Sequence, residues 1–159
     1  MRERLIRDLE PAVEAEPAKD VQKALKLNRG YDVIVLDGAP GRSRRTAELV
    51  TECDVIILPV GASKADLVPT IALAKRIAQM SLEAEGPLFA LCRVLTAAEA
   101  AEARATIGAA GFKTLDGELI ERPGYRQAQN FGRSASETAF PTLNARAKKL
   151  ARAILDRLD

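Results

Sequence analysis

The first place where residue types and spacing could do chemistry is Asp37, which ends the apolar run Tyr31-Asp32-Val33-Ile34-Val35-Leu36 and precedes Gly38-Ala39-Pro40-Gly41. A hard cation such as Mg²⁺ prefers a carboxylate oxygen held by a rigid strand, and an apolar strand ending in aspartate supplies one. Gly38 and Gly41 would let the backbone approach a ligand, and a helix opening near Ser43 would turn free N–H groups toward an anion. The same residues also fit an ordinary strand-to-helix turn.

Three further sites follow other apolar runs, where ligands bind in open parallel sheets. They are Gly61-Ala62-Ser63-Lys64, Arg93, and Glu121-Arg122-Pro123. A phosphate cradle of the form Gly-x-x-x-x-Gly-Lys-Ser/Thr does not occur, and its nearest trace, Gly111-Phe112-Lys113-Thr114, precedes an extended stretch instead of a helix. Phosphoryl transfer depends on that positioning and charge, so hydrolysis by this chain alone is not expected. Arg42, Arg44 and Arg45 are either substitute phosphate contacts or a solvated helix start. Arg146, Lys148, Lys149, Arg152 and Arg157 read equally as a DNA-backbone surface or as the polar face of a helix.

The elements that must position these residues can be read from hydrophobic periodicity. Residues 31–37, 54–60 and 87–94 are short, apolar runs that predict strands buried on both faces, as in parallel sheets. Helices are expected over 43–52, over 65–81, and from an N-cap at Thr96 to Gly108 or Gly111. After an extended piece at 112–121 come a short helix, 124–130, and a last helix, 142–158, whose stripe is Leu143, Ala147, Leu150, Ile154 and Leu158. The first 30 residues are open to several readings, with helices at 2–9 and 17–27 and a short strand at 12–15. Strands alternating with helices predict one α/β domain over 1–159 with a mainly parallel sheet flanked by helices.

Composition narrows the chemistry further. Of 24 Lys/Arg and 22 Asp/Glu, eight basic and four acidic residues fall in 121–159, so the C-terminal quarter is the basic part of the chain. Histidine is absent, which removes imidazole acid–base chemistry and His-ligated metals. Cys53 and Cys92 lie far apart beside apolar runs and read as small buried hydrophobes rather than a disulfide or a metal site. No run approaches the roughly 18 apolar residues of a membrane span, and the charged start Met1-Arg2-Glu3-Arg4 is unlike a signal sequence. A cytoplasmic protein with no membrane partner is the expectation.

Together, three ordered stretches resemble the ParA/MinD family of deviant Walker P-loop ATPases, most closely the ParF-like plasmid partition proteins. They are YDVIVLDGAPG, DVIILPVGASKADL and ERPGYRQAQNFGRSASE, and the likeness covers about residues 11–158. The resemblance implies a P-loop NTPase fold lacking its first strand and phosphate loop, so the domain is expected to be N-terminally incomplete. It gives Asp37 the catalytic switch position, near Mg²⁺ through water, and places Gly38 and Gly41 in the loop that senses the γ-phosphate. Arg93 and Arg122-Pro123 match positions lining an adenine pocket, while Pro59 and Asp66 support the nucleotide-side loops and a dimer face. ATP and Mg²⁺ are the implied cofactors. Implied partners are nonspecific DNA at Arg146, Lys148, Lys149 and Arg152, a centromere-binding partition protein, and a second copy of the chain.

In that family the missing strand lies between the counterparts of 31–37 and 54–60. Its loss leaves two expectations for these strands: direct pairing with each other, or a strand supplied by another chain. Two functional readings follow, ATP-dependent DNA segregation and a non-catalytic binding or regulatory module that kept the fold. An unrelated flavodoxin-like or receiver-like domain is a third, but the phosphate loop and acidic cluster those folds need are not in the sequence.

Overall fold

The computed structural model describes residues 4, 6–11, 13, 17, 21–27, 30–38, 44–80 and 86–158, with the side chains of 27 and 44–46 excepted. Two strands, β1 (Ile57–Val60) and β2 (Leu88–Leu91), pair in parallel with Ile57 opposite Leu88 and Val60 opposite Leu91. The helices are α1 (Val21–Leu27), α2 (Arg44–Glu52), α3 (Lys64–Met80), α4 (Ala97–Ala109), α5 (Pro123–Asn130) and α6 (Pro141–Leu155). The arrangement is a small α/β fold, a two-stranded parallel sheet flanked by helices.

Strand side chains alternate between two faces, and each face here meets its own apolar partner. Phe89 and Leu91 of β2 join Leu58 and Val60 of β1 in a core with Leu67 and Ala74 of α3 and Ala100, Ala103 and Ile107 of α4. Leu88 and Ala90 point the other way, into a cluster with Ile57, Leu115 and Leu150 of α6. All four residues of β2 are therefore buried, which explains its unbroken apolar run. Its far edge is covered as well: Phe89 N–H donates to Lys113, Leu115 N–H to Phe89 and Leu119 N–H to Leu91. The extended piece at 112–121 thus lies along β2 without forming a regular strand.

Helix ends follow sequence chemistry closely. Thr96 caps α4 by accepting the Glu99 N–H at 3.2 Å, and the Glu99 carboxylate accepts from Leu95 N–H. The same helix stops where Gly111 adopts φ +89°, a conformation that favours glycine. Gly111 N–H then reaches Gly108 C=O and Phe112 N–H reaches Ile107 C=O, so two terminal carbonyls are satisfied while Phe112 packs on the core. Arg104, on α4, donates to the carbonyls of Leu115 and Gly117 and to Glu118, fastening the turn that carries the chain toward α5.

The prediction of a strand over 31–37 is not met. These residues are not in a strand, and Val35 is 86% exposed. Strand 54–60 shortens to 57–60 and strand 87–94 to 88–91. A run becomes a strand only where a neighbour accepts its backbone groups, and β1 and β2 neighbour each other, not 31–37. Direct pairing of 31–37 with 54–60 does not occur. On the last helix Leu143, Ala147 and Leu150 are buried as the stripe predicts, whereas Leu158 lies past the helix end and is exposed. Residues 12, 14 and 15 of the expected early strand lie outside the described residues.

One long-range tie was invisible to periodicity. Arg4 is buried and its guanidinium donates to both Glu137 oxygens, at 2.7 and 3.1 Å, and to the carbonyls of Glu10, Pro11 and Gly132. Glu137 also accepts from Ser134 N–H at 2.7 Å. The Arg4 bonds, then those from Ser134, hold the Glu137 carboxyl down at about 2 from an ordinary 4.5. Because the folded value is depressed, this stabilisation is complete above about pH 4.5 and is lost as pH falls toward 2. We expect Glu137→Gln to lower the melting temperature at pH 7 and to flatten its decline between pH 4.5 and 2, as read by thermal denaturation across that range.

Candidate nucleotide-binding edge

The carboxyl ends of β1 and β2 gather several of the residues singled out above. Beyond β1, Ser63 caps α3: its carbonyl accepts Leu67 N–H at 2.9 Å, and its Oγ accepts Asp66 N–H at 3.2 Å. Ser63 Oγ in turn donates to Asp66 Oδ2 at 3.1 Å. Asp66 lies in the first turn, where a negative charge favours the helix dipole. Beyond β2, Arg93 takes φ +56°, a left-handed backbone that is uncommon for a side-chain-bearing residue. Its guanidinium comes within 3.7 Å of Asp66 Oδ2, so the two strand ends are joined by an exposed ion pair. Gly61 lies against this pair, and a Cβ there would be 2.2 Å from Asp66 Oδ2.

The third segment reaches the same edge through β2. Val94 pairs in parallel with Ile120, and Glu121 N–H donates to Val94 C=O at 2.8 Å. Arg122 and Pro123 follow directly, Arg122 flanking the start of α5 and Pro123 opening it. Arg122 Nη1 donates to the Glu121 carbonyl, and Arg122 is exposed. Arg93 therefore lies between the end of β2 and the paired residue Val94, and Arg122 lies two residues past Ile120 on the adjacent extended segment, with the helix-capping turn of Ser63 and Asp66 beside Arg93.

Asp37 and Gly38 are not gathered with them. Asp37 is exposed and has no hydrogen-bond or ion-pair partner among the described residues. Gly38 lies against Leu49 of α2, at 3.4 Å from a Cβ built there. Gly41 lies outside the described residues, as do Ala39, Pro40, Arg42 and Ser43. Among the described residues, no group of three His, Cys, Asp or Glu side chains stands close enough to hold a metal ion.

Pro59 interrupts the backbone donors of β1. Its N–H is missing on the side away from β2, where a ladder bond would otherwise form. Neither cysteine offers a nucleophile: burial pushes both thiols above the usual range, and for Cys53 the neighbouring Asp54 and Glu52 push the same way. Both cysteines are half-buried and free, as their positions predict.

The basic face of α6 is interleaved with carboxylates. Arg146 pairs with Glu118 at 2.9 Å, Lys149 with Asp116 at 3.0 Å and Arg152 with Asp156 at 2.9 Å. The Lys149 ammonium is the main cause holding the Asp116 carboxyl below its ordinary value. Lys148 is exposed without an ion-pair partner among the described residues. Three of the four proposed DNA contacts must thus exchange a carboxylate for a phosphate. On the expectation that α6 contacts a DNA backbone, Asp116→Asn with Glu118→Gln releases Lys149 and Arg146 and should give a salt dependence steeper by about two units of slope, roughly 0.9 for each freed contact. Fluorescence anisotropy with a duplex at several salt concentrations reads it directly.

Sequence reasoning missed a second concavity. Arg7, Leu9, Phe131 and Arg133 line a cleft of about 590 Å³, with the Arg7 guanidinium 4.9 Å from the Phe131 ring centroid. The only sequence signal for it is an aromatic and an arginine flanking Gly132. Among the described residues no helix is long and apolar enough to cross a membrane. No protein-family model matches the chain, and no curated protein matches it.

Proposed function

We propose that this chain is a ParA-like partitioning domain for DNA segregation that engages the base end of a nucleotide and turns it over weakly or not at all by itself. The observation that carries this reading is the Asp66–Arg93 ion pair across the carboxyl ends of β1 and β2, with Arg122 on the extended segment that pairs beside β2. Asp66 and Arg122 belong to two of the three ordered stretches and Arg93 follows β2, the region where open α/β sheets bind ligands. Two guanidiniums at strand ends supply fixed donors for ring nitrogens and oxygens. ATP is the ligand expected at this edge; its phosphates would extend past the residues that hold its base.

The non-catalytic form of this reading gains support from α6, whose cations Arg146, Lys149 and Arg152 already hold carboxylate partners. A binding or regulatory module acting through protein or DNA contacts fits this arrangement. The centromere-binding partition protein and nonspecific DNA are the partner classes this role requires.

Titration calorimetry with ATP, in the presence and absence of Mg²⁺, tests the reading. We expect binding weaker than micromolar and little affected by Mg²⁺, reduced about tenfold by Arg93→Ala and again by Arg122→Ala, each loss matching one charge-assisted contact. Binding that ignores both substitutions overturns the assignment of this edge. Micromolar, Mg²⁺-dependent binding overturns the non-catalytic reading.

A further inference from the structure

Two surfaces of the molecule each lack the same thing. On β1, residues 56, 58 and 60 direct their backbone groups to β2, as Leu88 N–H to Ile56 C=O and Cys92 N–H to Val60 C=O show. The groups of Ile57 and Pro59 must then face the opposite edge. That edge has no partner among the described residues. An unpaired edge is a template for another strand.

The complement is carried on the same chain. Val33, Ile34, Val35 and Leu36 form a continuous β-branched and aliphatic run with no hydrogen-bond partner among the described residues. Tyr31 is 49% exposed, Val33 45% and Val35 86%. A run of this composition satisfies its backbone best as a strand covered on both faces. Exposed Val33 and Val35 alternate with half-buried Ile34 and Leu36, so one side of the run presents an apolar surface open to contact. Among the described residues the β1 edge and this run are both present and neither meets a strand partner, so their connection through α2 does not bring them into register.

We propose that residues 33–37 of one copy pair with the free edge of β1 in a second copy, giving a strand-exchanged dimer. The second copy is the occupant that satisfies both surfaces at once, because each molecule offers one edge and one strand of similar length. Reciprocal exchange closes after two chains and leaves neither surface open. Pro59 limits the ladder: with no N–H at that position, the added strand bonds to Ile57 and to the Pro59 carbonyl but loses one donor. The association is therefore weaker than that of an uninterrupted ladder. The pairing does not depend on nucleotide and stands apart from the edge formed by Arg93 and Arg122.

Sedimentation equilibrium of the full chain without nucleotide, together with amide exchange, tests it. The expected result is a monomer–dimer equilibrium in which protection of Val33–Leu36 and Ile57 rises with protein concentration. Val35→Asp puts a charge on a side chain that is exposed in the monomer and covered in the dimer. It should weaken dimerisation about 30-fold while leaving the circular dichroism spectrum of the dilute protein unchanged. A protein that stays monomeric with rapid exchange at 33–36 overturns the inference. So does a monomer protected at 33–36, which would show pairing within one chain, or a dimer that Val35→Asp leaves intact, which would place the interface elsewhere.

Discussion

Replacing Phe89 with alanine is expected to destabilise the protein by about 3–5 kcal/mol, the usual cost of emptying a large aromatic site in a core. Phe89 is fully buried on β2, between the strands and the helices α3 and α4. Its ring stands 5.6 Å from that of Phe112, tilted by 45°, so the substitution also removes a favourable aromatic contact. The backbone of the same residue bonds Lys113 and Leu115, which makes β2 the joint between the sheet and the extended piece beside it. Domains carry a net stability of only about 5–15 kcal/mol, so a loss of this size removes a large share. Urea denaturation should show a lower midpoint at unchanged slope, and the melting temperature should drop by roughly 6–20 °C for a chain of this length. A change below about 1 kcal/mol would mean that the two helices and the sheet do not share this core.

The second large effect comes from adding atoms. Gly124, in the first turn of α5, is buried, and a Cβ there would sit 2.9 Å from Leu143 Cδ1 and 2.9 Å from Phe140 Cδ2. Leu143 cannot move freely: it packs with Tyr125 and Ala147, and its carbonyl accepts the Tyr125 hydroxyl at 3.0 Å. Gly124→Val should therefore cost about 1–3 kcal/mol by overpacking, despite the better helix propensity of the larger residue. Gly108 in α4 supplies the contrast, since nothing lies within 4 Å of a Cβ built there. Gly108→Ala should stabilise by up to about 1 kcal/mol, and thermal melts of the two variants against the parent would show shifts of opposite sign.

These two glycines show where sequence reading reaches its limit. Both stand in helical patterns, and nothing local distinguishes them. The sign of each substitution is set by residues 16 to 19 positions away in one case and by open solvent in the other. Arg4 and Glu137 make the same point over a longer span. Each is an unremarkable charge in its own segment, yet the pair joins the start of the described chain to the turn before α6.

The candidate edge was partly legible for a physical reason. Residues that follow buried strands end up together when the strands are parallel, so Ser63, Arg93 and Arg122 could be picked out by position alone. The Asp66–Arg93 ion pair, the left-handed backbone of Arg93 and the close approach of Gly61 could not. They depend on the spacing of two strands, which is a property of the sheet. The basic face of α6 was legible as a run of cations, while its neutralisation by Glu118, Asp116 and Asp156 depends largely on how the turn before α5 folds back.

Short-range chemistry determined the elements of this protein. The Thr96 cap, the Gly111 stop and the apolar stripe of α6 each rest on interactions within a few residues, which the order of side chains specifies. Tertiary structure alone decided which apolar runs became strands. The run at 87–94 did so because β1 on one side and 113–121 on the other accept its backbone groups. The run at 31–37 has the same kind of composition, but among the described residues Val33–Leu36 meet no such neighbour. Strand identity is a relation between segments, and Asp37 shares the fate of the segment that carries it.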